Sequence, residues 1–170
     1  VFKRSAQHIL ACQPVSRLAW LRDNEPEKYQ RIRWIFSCKD YVRFRLTGVA
    51  NGEMTDFSGS NLLNLHSKTY DPELLDLFGL SAMQDALPPP KYSAELCGTV
   101  SCAAAEQTGL VEGTPGAAGM FALDACALAG GVAGEPRICM TAGTWSINEY
   151  IRPQPATDGS GLLNPLYFRL

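Results

Sequence analysis

Short amphipathic stretches alternate along this chain with turns rich in Gly, Pro, Ser and Asp. "CQPVSRLAWLRDNEPEKYQRI" predicts two short helices. Pro14 and Pro26 stand where first-turn prolines belong, and Val15, Leu18 and Leu21 share one face. In "RIRWIFS", Ile32, Trp34 and Phe36 alternate with Arg31 and Arg33, which predicts a half-buried strand. "SCKDYVRFRLTG" predicts a helix with Ser37 as its N-cap and Gly48 as its stop. "NGEMTDFSGSNLLNLHSKTY" reads as a loop with a short apolar strand or turn around residues 62–65. The clearest helix is "YDPELLDLFGL": Asp71 caps it, Pro72 opens it, Leu74, Leu75 and Phe78 face inward, and Gly79 ends it.

"LPPPKYSAE" is a stiff connector. It leads to a strand, "ELCGTV", and a helix, "SCAAAEQTGL", capped by Ser101 and stopped by Gly109. "GTPGAAGMF" predicts a turn into a strand of small residues, and "DACALAGG" a short close-packed helix. "RICMTAGTWSINEYI" predicts two strands joined at Ala142, Gly143 and Thr144, and "RPQPATDGSG" a loop. Strands alternating with helices indicate an α/β domain. The composition shifts near residues 130–136, which is the expected domain boundary.

Composition supports a folded chain: 46% of the 170 residues are hydrophobic and 19% charged. The net charge of −2 gives no bulk attraction to nucleic acid or membrane. Ten of the fifteen Lys and Arg lie in residues 1–48. There Arg31, Arg33, Arg43 and Arg45 interleave with aromatics, a pattern that can bind nucleic acid. A solvated surface is the preferred reading, because Arg43 and Arg45, two apart on a helix, do not share a face. The six cysteines form no C-x-x-C pair and His8 and His66 stand alone, so no zinc site is expected. Cys126 and Cys139 read as small buried hydrophobes. Residues 116–134 are mostly small, with Asp124 near the middle, and are rejected as a membrane span. With no sequon or signal peptide visible, a reducing cytoplasm is expected. The chain opens at Val1 and ends at "NPLYFRL", as a piece of something longer would.

Three stretches could carry chemistry. "TAGTWSIN" places a Gly-Thr turn between strands, where backbone N–H groups and a hydroxyl can meet phosphate oxygens; a plain hairpin is the commoner use. "TDFSGSN" offers Asp56 and several hydroxyls and amides to a polar ligand, although Asp and Ser also serve turns. "GMFALDACALAGG" sets Asp124 at a strand-to-helix junction, either as a base for a substrate hydroxyl or, more often, as a helix cap. Walker A, H-E-x-x-H and intact G-x-G-x-x-G motifs are absent; "GSGLLN" lacks the third glycine.

In order and spacing, "PVSRLAWLRDNEPEKY", "KDYVRFRLTG", "TDFSGSNLLNL", "YDPELLDLFGL", "LPPPKYSAELCGTV", "TGLVEGTPGAAG" and "AGTWSIN" resemble the FGGY family of carbohydrate kinases, closest in look to its xylulose and L-xylulose kinase branch. The resemblance implies an α/β, ribonuclease H-like fold of the actin-like ATPase type. Residues 1–133 would be the later part of the first, sugar-side domain. Residues 134–170 would begin the second, ATP-side domain with its first hairpin. It implies transfer of the ATP γ-phosphoryl group to a ketopentose or related polyol, with Mg²⁺, and leaves a homodimer open. Gly143 and Thr144 match the turn that meets the ATP phosphates, and Asp56 lies near the sugar-side face.

The family's catalytic Asp follows P-V-x-x-G-x-x. Here Pro115 opens "PGAAGMFA", Gly116 replaces Val, and the Asp position is Ala122. Asp124 does not substitute by simple geometry. On an extended chain it sits about 6.5 Å further along. On a helix it turns about 200° away. Asp124 is therefore expected to cap the short helix, with a catalytic role as the lesser reading. The family's first phosphate loop, D-x-G-[ST], does not occur. The chain by itself is therefore not expected to be a competent kinase. A second reading is a pseudokinase or sugar-binding scaffold lacking its base, and a third is an introduced change at position 122.

Overall fold

The computed structural model describes residues 1–133 and 137–167. A first helical turn, α1 (Phe2–Ser5), is followed by α2 (Pro14–Asn24) and α3 (Pro26–Gln30), each opened by its proline. Next comes α4 (Cys38–Thr47), which Gly48 stops in the left-handed conformation at φ 73°. Then follow β1 (Gly52–Glu53), α5 (Met54–Ser58), β2 (Leu63–Asn64), β3 (Thr69–Tyr70) and α6 (Pro72–Leu77). A 3₁₀ turn at Ser81–Ala86 leads to β4 (Pro90–Lys91), β5 (Leu96–Thr99), α7 (Cys102–Thr108), β6 (Pro115–Ala117) and α8 (Ala122–Ala129). A hairpin of β7 (Ile138–Ala142) and β8 (Ser146–Tyr150) follows. The expected boundary at 130–136 falls partly on residues 134–136, outside the described residues.

Among the described residues the strands form four two-stranded ribbons. The β1–β4 pair is parallel, matching Gly52 with Pro90 and Glu53 with Lys91; the other three are antiparallel. Buried Val15, Leu18, Phe57, Leu62, Leu63 and Leu75 lie in one core that joins α2, α5, β2 and α6. Gly52 has to be glycine for packing reasons. A Cβ there would lie 2.7 Å from the Phe57 ring and 2.8 Å from the Tyr70 hydroxyl, closer than real contacts allow. Phe57 and Tyr70 meet edge to face at 5.4 Å, and the Tyr70 hydroxyl donates to the Pro88 carbonyl at 2.8 Å. That bond ties α5 and β3 to the proline connector.

Four expectations need correcting. "RIRWIFS" is extended but joins no sheet; its one ladder-like bond runs from the Ile35 N–H to the Ala86 carbonyl at 2.9 Å. Its alternation serves ring packing instead: Phe36 stacks on Phe44 at 5.1 Å and Arg33 lies over Trp34 at 4.8 Å. The polar segment around residue 55 is a helix, buried almost throughout. Arg43 is buried rather than solvated, while Arg45 is exposed. Cys126 is exposed and Cys139 half-buried, whereas Cys97 is the buried thiol. No helix among the described residues is long and apolar enough to cross a membrane.

Asp71 caps α6 as expected, accepting the Glu73 N–H at 3.0 Å. Its other oxygen takes Arg4 and Asn64, each at 2.9 Å. Burial acts to raise this carboxyl, but the bonds from Asn64, Arg4 and the Glu73 N–H outweigh it and hold it below the usual range. A carboxyl lowered in the folded state adds stability above its unfolded pKa of about 3.9, and loses it as pH falls through the folded value. Asp71→Asn keeps a capping acceptor without the charge. Thermal midpoints should therefore favour wild type most above about pH 5, with the gap to Asp71→Asn narrowing toward about pH 2.

Candidate functional site

The N-terminus of α4 and the β1–α5 junction bring together a cluster of charges. Asp40 and Glu53 are fully buried, and Arg43 nearly so. Lys39, about a quarter exposed, reaches Asp40 Oδ1 at 3.0 Å and Glu53 Oε2 and Asp56 Oδ2 at 3.2 Å each. Arg43, one turn along α4, pairs with Asp40 at 2.9 Å. The local sequence explains the convergence. Lys39, Asp40 and Arg43 lie in adjacent turns of one helix, and the short β1 strand carries Glu53 directly into the N-cap of α5.

Glu53 collects donors with both oxygens. The Thr55 N–H reaches Oε1 at 2.9 Å and the Asp56 N–H reaches Oε2 at 3.2 Å, which caps α5. The Thr55 hydroxyl donates to Oε2 at 2.7 Å and the Ser93 hydroxyl to Oε1 at 2.9 Å. Asp40 Oδ2 accepts the Glu53 N–H at 3.1 Å. Charges removed from water need this density of partners.

From this cluster, contacts reach the loop before α8. Thr55 Oγ1 accepts the Phe121 N–H at 2.8 Å, and Phe121 is the N-cap of α8. Ala122 is the first residue of that helix and is exposed. Asp124 is the third, with 3% exposure. The helix has begun by residue 122, so two residues turn the side chains about 200° apart and set them on opposite faces. Asp124 therefore does not occupy the place that an Asp at 122 would take. Nor is it the cap: the cap position is Phe121, which makes no side-chain cap bond. Instead the Asp124 charge acts on the Tyr167 hydroxyl, which is raised first by burial and then by Asp124 and Glu149.

The structure places the other expected residues as follows. Asp56 joins the Lys39 cluster with a partly exposed carboxylate, while its chain neighbour Thr55 makes the bond to Phe121. Gly143 and Thr144 stand at the exposed tip of the β7–β8 hairpin, as the sequence predicts. The Gly143 N–H is spent within the turn, donating to the Trp145 carbonyl at 3.1 Å. Lys39 and Glu53 carry no signal in the sequence, whereas Thr55 belongs to the "TDFSGSN" stretch of candidate hydroxyls. A Lys-Asp pair at a helix start and a Glu before a Thr-Asp are ordinary surface patterns, and only the fold reveals their burial. Among the described residues no group of three or more His, Cys, Asp or Glu converges on a cation. These residues alone do not form a Mg²⁺ cage.

A sequence profile for the FGGY family of carbohydrate kinases, N-terminal domain, matches residues 1–129. The chain belongs to the FGGY family of carbohydrate kinases. It is 42% identical over 147 residues to a "Probable L-xylulose kinase" of Pasteurella multocida, covering 86% of this chain and 30% of that protein. It is 38% identical over 151 residues to an "L-xylulose/3-keto-L-gulonate kinase" of Escherichia coli, covering 89% of this chain and 30% of that one. The chain thus spans about 30% of the length of the curated relatives it matches. A ligand-bound xylulose kinase from Lactobacillus acidophilus superposes on 94% of this chain and 32% of its own, with a TM-score of 0.84 at 22% identity. That likeness establishes the fold: a mixed α/β part of the actin-like ATPase architecture of FGGY sugar kinases.

Glu53 holds the cluster together, so truncating it should be costly. Glu53→Ala removes the α5 cap, leaves the Thr55 and Ser93 hydroxyls without their acceptor and takes one of three carboxylates from Lys39. Urea denaturation should show a loss of about 3–5 kcal/mol with an unchanged slope. A loss below about 1 kcal/mol would mean that water replaces the carboxylate there.

Proposed function

We propose that the protein carrying this chain is an ATP-dependent carbohydrate kinase. It transfers the γ-phosphoryl group to a hydroxyl of a ketopentose or related polyol, with L-xylulose the first candidate acceptor. The observation that carries this reading is the 42% identity to a probable L-xylulose kinase across 86% of the chain. The family match along residues 1–129 supports assigning 1–133 to the sugar-side domain and 134–170 to the start of the ATP-side domain. MgATP enters as substrate, and we place the reaction in the cytoplasm. The homodimer left open by the resemblance is a matter for sizing in solution.

Phosphoryl transfer to an alcohol needs in-line positioning, neutralisation of phosphate charge and an acceptor for the hydroxyl proton. In this reading Gly143 and Thr144 meet the ATP phosphates, with Thr144 at the exposed hairpin tip. Asp56 belongs to the sugar side, but its carboxylate is engaged by Lys39 at 3.2 Å. Position 122 is where the proton acceptor belongs, and a methyl group stands there. Asp124, buried on the other face of α8, serves structure.

Ala122 is also the observation behind the second reading, a pseudokinase that binds sugar and nucleotide without turnover. A coupled ADP-release assay on the whole protein, with D- and L-xylulose, decides between the readings. Ala122→Asp should raise kcat by about 10²- to 10⁴-fold, the usual contribution of a positioned base. Equal turnover with Ala122 intact would sink the pseudokinase reading. Absence of ATP-dependent turnover and of nucleotide binding in both forms would sink the kinase reading itself.

A further inference from the structure

We propose that the buried Asp40–Glu53 cluster is a positioning platform for the loop before α8, with Thr55 as its decisive link to residue 122. This rests on the reading above, in which residue 122 faces the reacting sugar.

The loop is held at four main-chain atoms. The Ala118 N–H donates to the Glu95 carbonyl at 2.9 Å, and each of the other three ties leads back to a buried carboxylate. The Ala118 carbonyl accepts from Arg43 Nη1 at 2.5 Å, and Arg43 is paired with Asp40. The Gly119 N–H donates to the Ser93 carbonyl at 3.0 Å, and the Ser93 hydroxyl donates to Glu53. The Phe121 N–H donates to Thr55 Oγ1, whose own proton goes to Glu53 Oε2. The last tie has a fixed direction. An N–H and a carboxylate cannot bond one another through a group that only donates or only accepts; a hydroxyl does both. Glu53 accepts the hydroxyl proton, which turns a lone pair of Thr55 toward Phe121. Because Phe121 sits immediately before Ala122 in the chain, this bond fixes where α8 begins and where the side chain at 122 emerges.

A misplacement of about 1 Å can cost a large factor in rate, so a positioning bond should show in kcat more than in binding. Thr55 is therefore a positioning residue: it acts through the backbone and does not touch the substrate.

Two measurements on the whole protein test this. In amide hydrogen exchange, Thr55→Val should lower protection at Phe121 and the first turn of α8 by at least about tenfold, while α2 and α6 change less than about twofold. Thr55→Ser should keep wild-type protection. No change at Phe121, or an equal change everywhere, would overturn the proposal. If the valine variant does not fold, Ser93→Ala supplies the same test, with exchange rising at Gly119 in place of Phe121. In the Ala122→Asp background, Thr55→Val should lower kcat at least about tenfold with the KM for MgATP within about twofold, and Thr55→Ser should restore kcat. A valine variant as fast as threonine would overturn the role in catalysis. If neither Ala122→Asp nor the parent, both with Thr55 intact, shows turnover or nucleotide binding, the kinase reading fails, and the exchange experiment still decides the platform.

Discussion

Asp40 and Glu53 have no exposure to water, yet they sit at a junction of α4, β1 and α5 that opens toward Lys39 and the loop before α8. Removing two carboxylates from water costs several kcal/mol each unless partners replace the solvent. Lys39 and Arg43 supply charge, and the N–H and hydroxyl groups of residues 53, 55, 56 and 93 supply donors. These partners come from α4, β1, α5 and the proline connector, so the charges stay buried only when all four are in place. This couples helix start, strand pair and proline connector more tightly than their short ribbons do, since two-stranded ribbons are marginal by themselves.

The small side chains of residues 116–119 belong to the same constraint. A Cβ on Gly116 would touch Thr47 at 3.4 Å, and one on Gly119 would come within 3.8 Å of the Lys39 stem. The chain runs close against α4 there, which is how a backbone carbonyl at 118 comes within reach of the Arg43 guanidinium. Close backbone approach and buried charge thus occur together, with the small residues of the loop packed at van der Waals distance from α4.

Much of this architecture is legible in the sequence, for local reasons. Asp71-Pro72, Ser101 and Gly48 announce their helix ends because side-chain caps and left-handed stops leave a residue signature. The hairpin tip at Gly143 and Thr144 is similarly local. Helix α5 is not legible, because its cap is a glutamate, outside the residues that normally mark a helix start. "RIRWIFS" misleads because ring stacking produces the same period-two pattern as a sheet. Arg43 misleads because arginine is seldom buried without a partner, and its partners are a helix neighbour, a carbonyl eight residues on and another 75 residues on. The family is legible because many weak pieces occur in one order. The platform under position 122 is not, because its ties to the loop join residues far apart in the chain, Thr55 with Phe121 and Arg43 with Ala118 among them.

The change at position 122 is separable from the platform on physical grounds. Every tie to the loop ends on a main-chain atom, at Ala118, Gly119 or Phe121, and none uses the side chain at 122. Ala122 is exposed, so a methyl there leaves no cavity and an aspartate would need no repacking. Asp124 stands in the opposite position: buried, on the other face of α8, and fixed by its surroundings. Under the proposed kinase reading, the chain thus keeps the backbone ties beside position 122 with a methyl in place of a carboxylate. The 2.8 Å bond between Phe121 and Thr55 is made with alanine at 122. In that reading, position 122 differs from a base-bearing site in its side chain alone, and the bonds that hold the backbone beside it do not depend on that side chain.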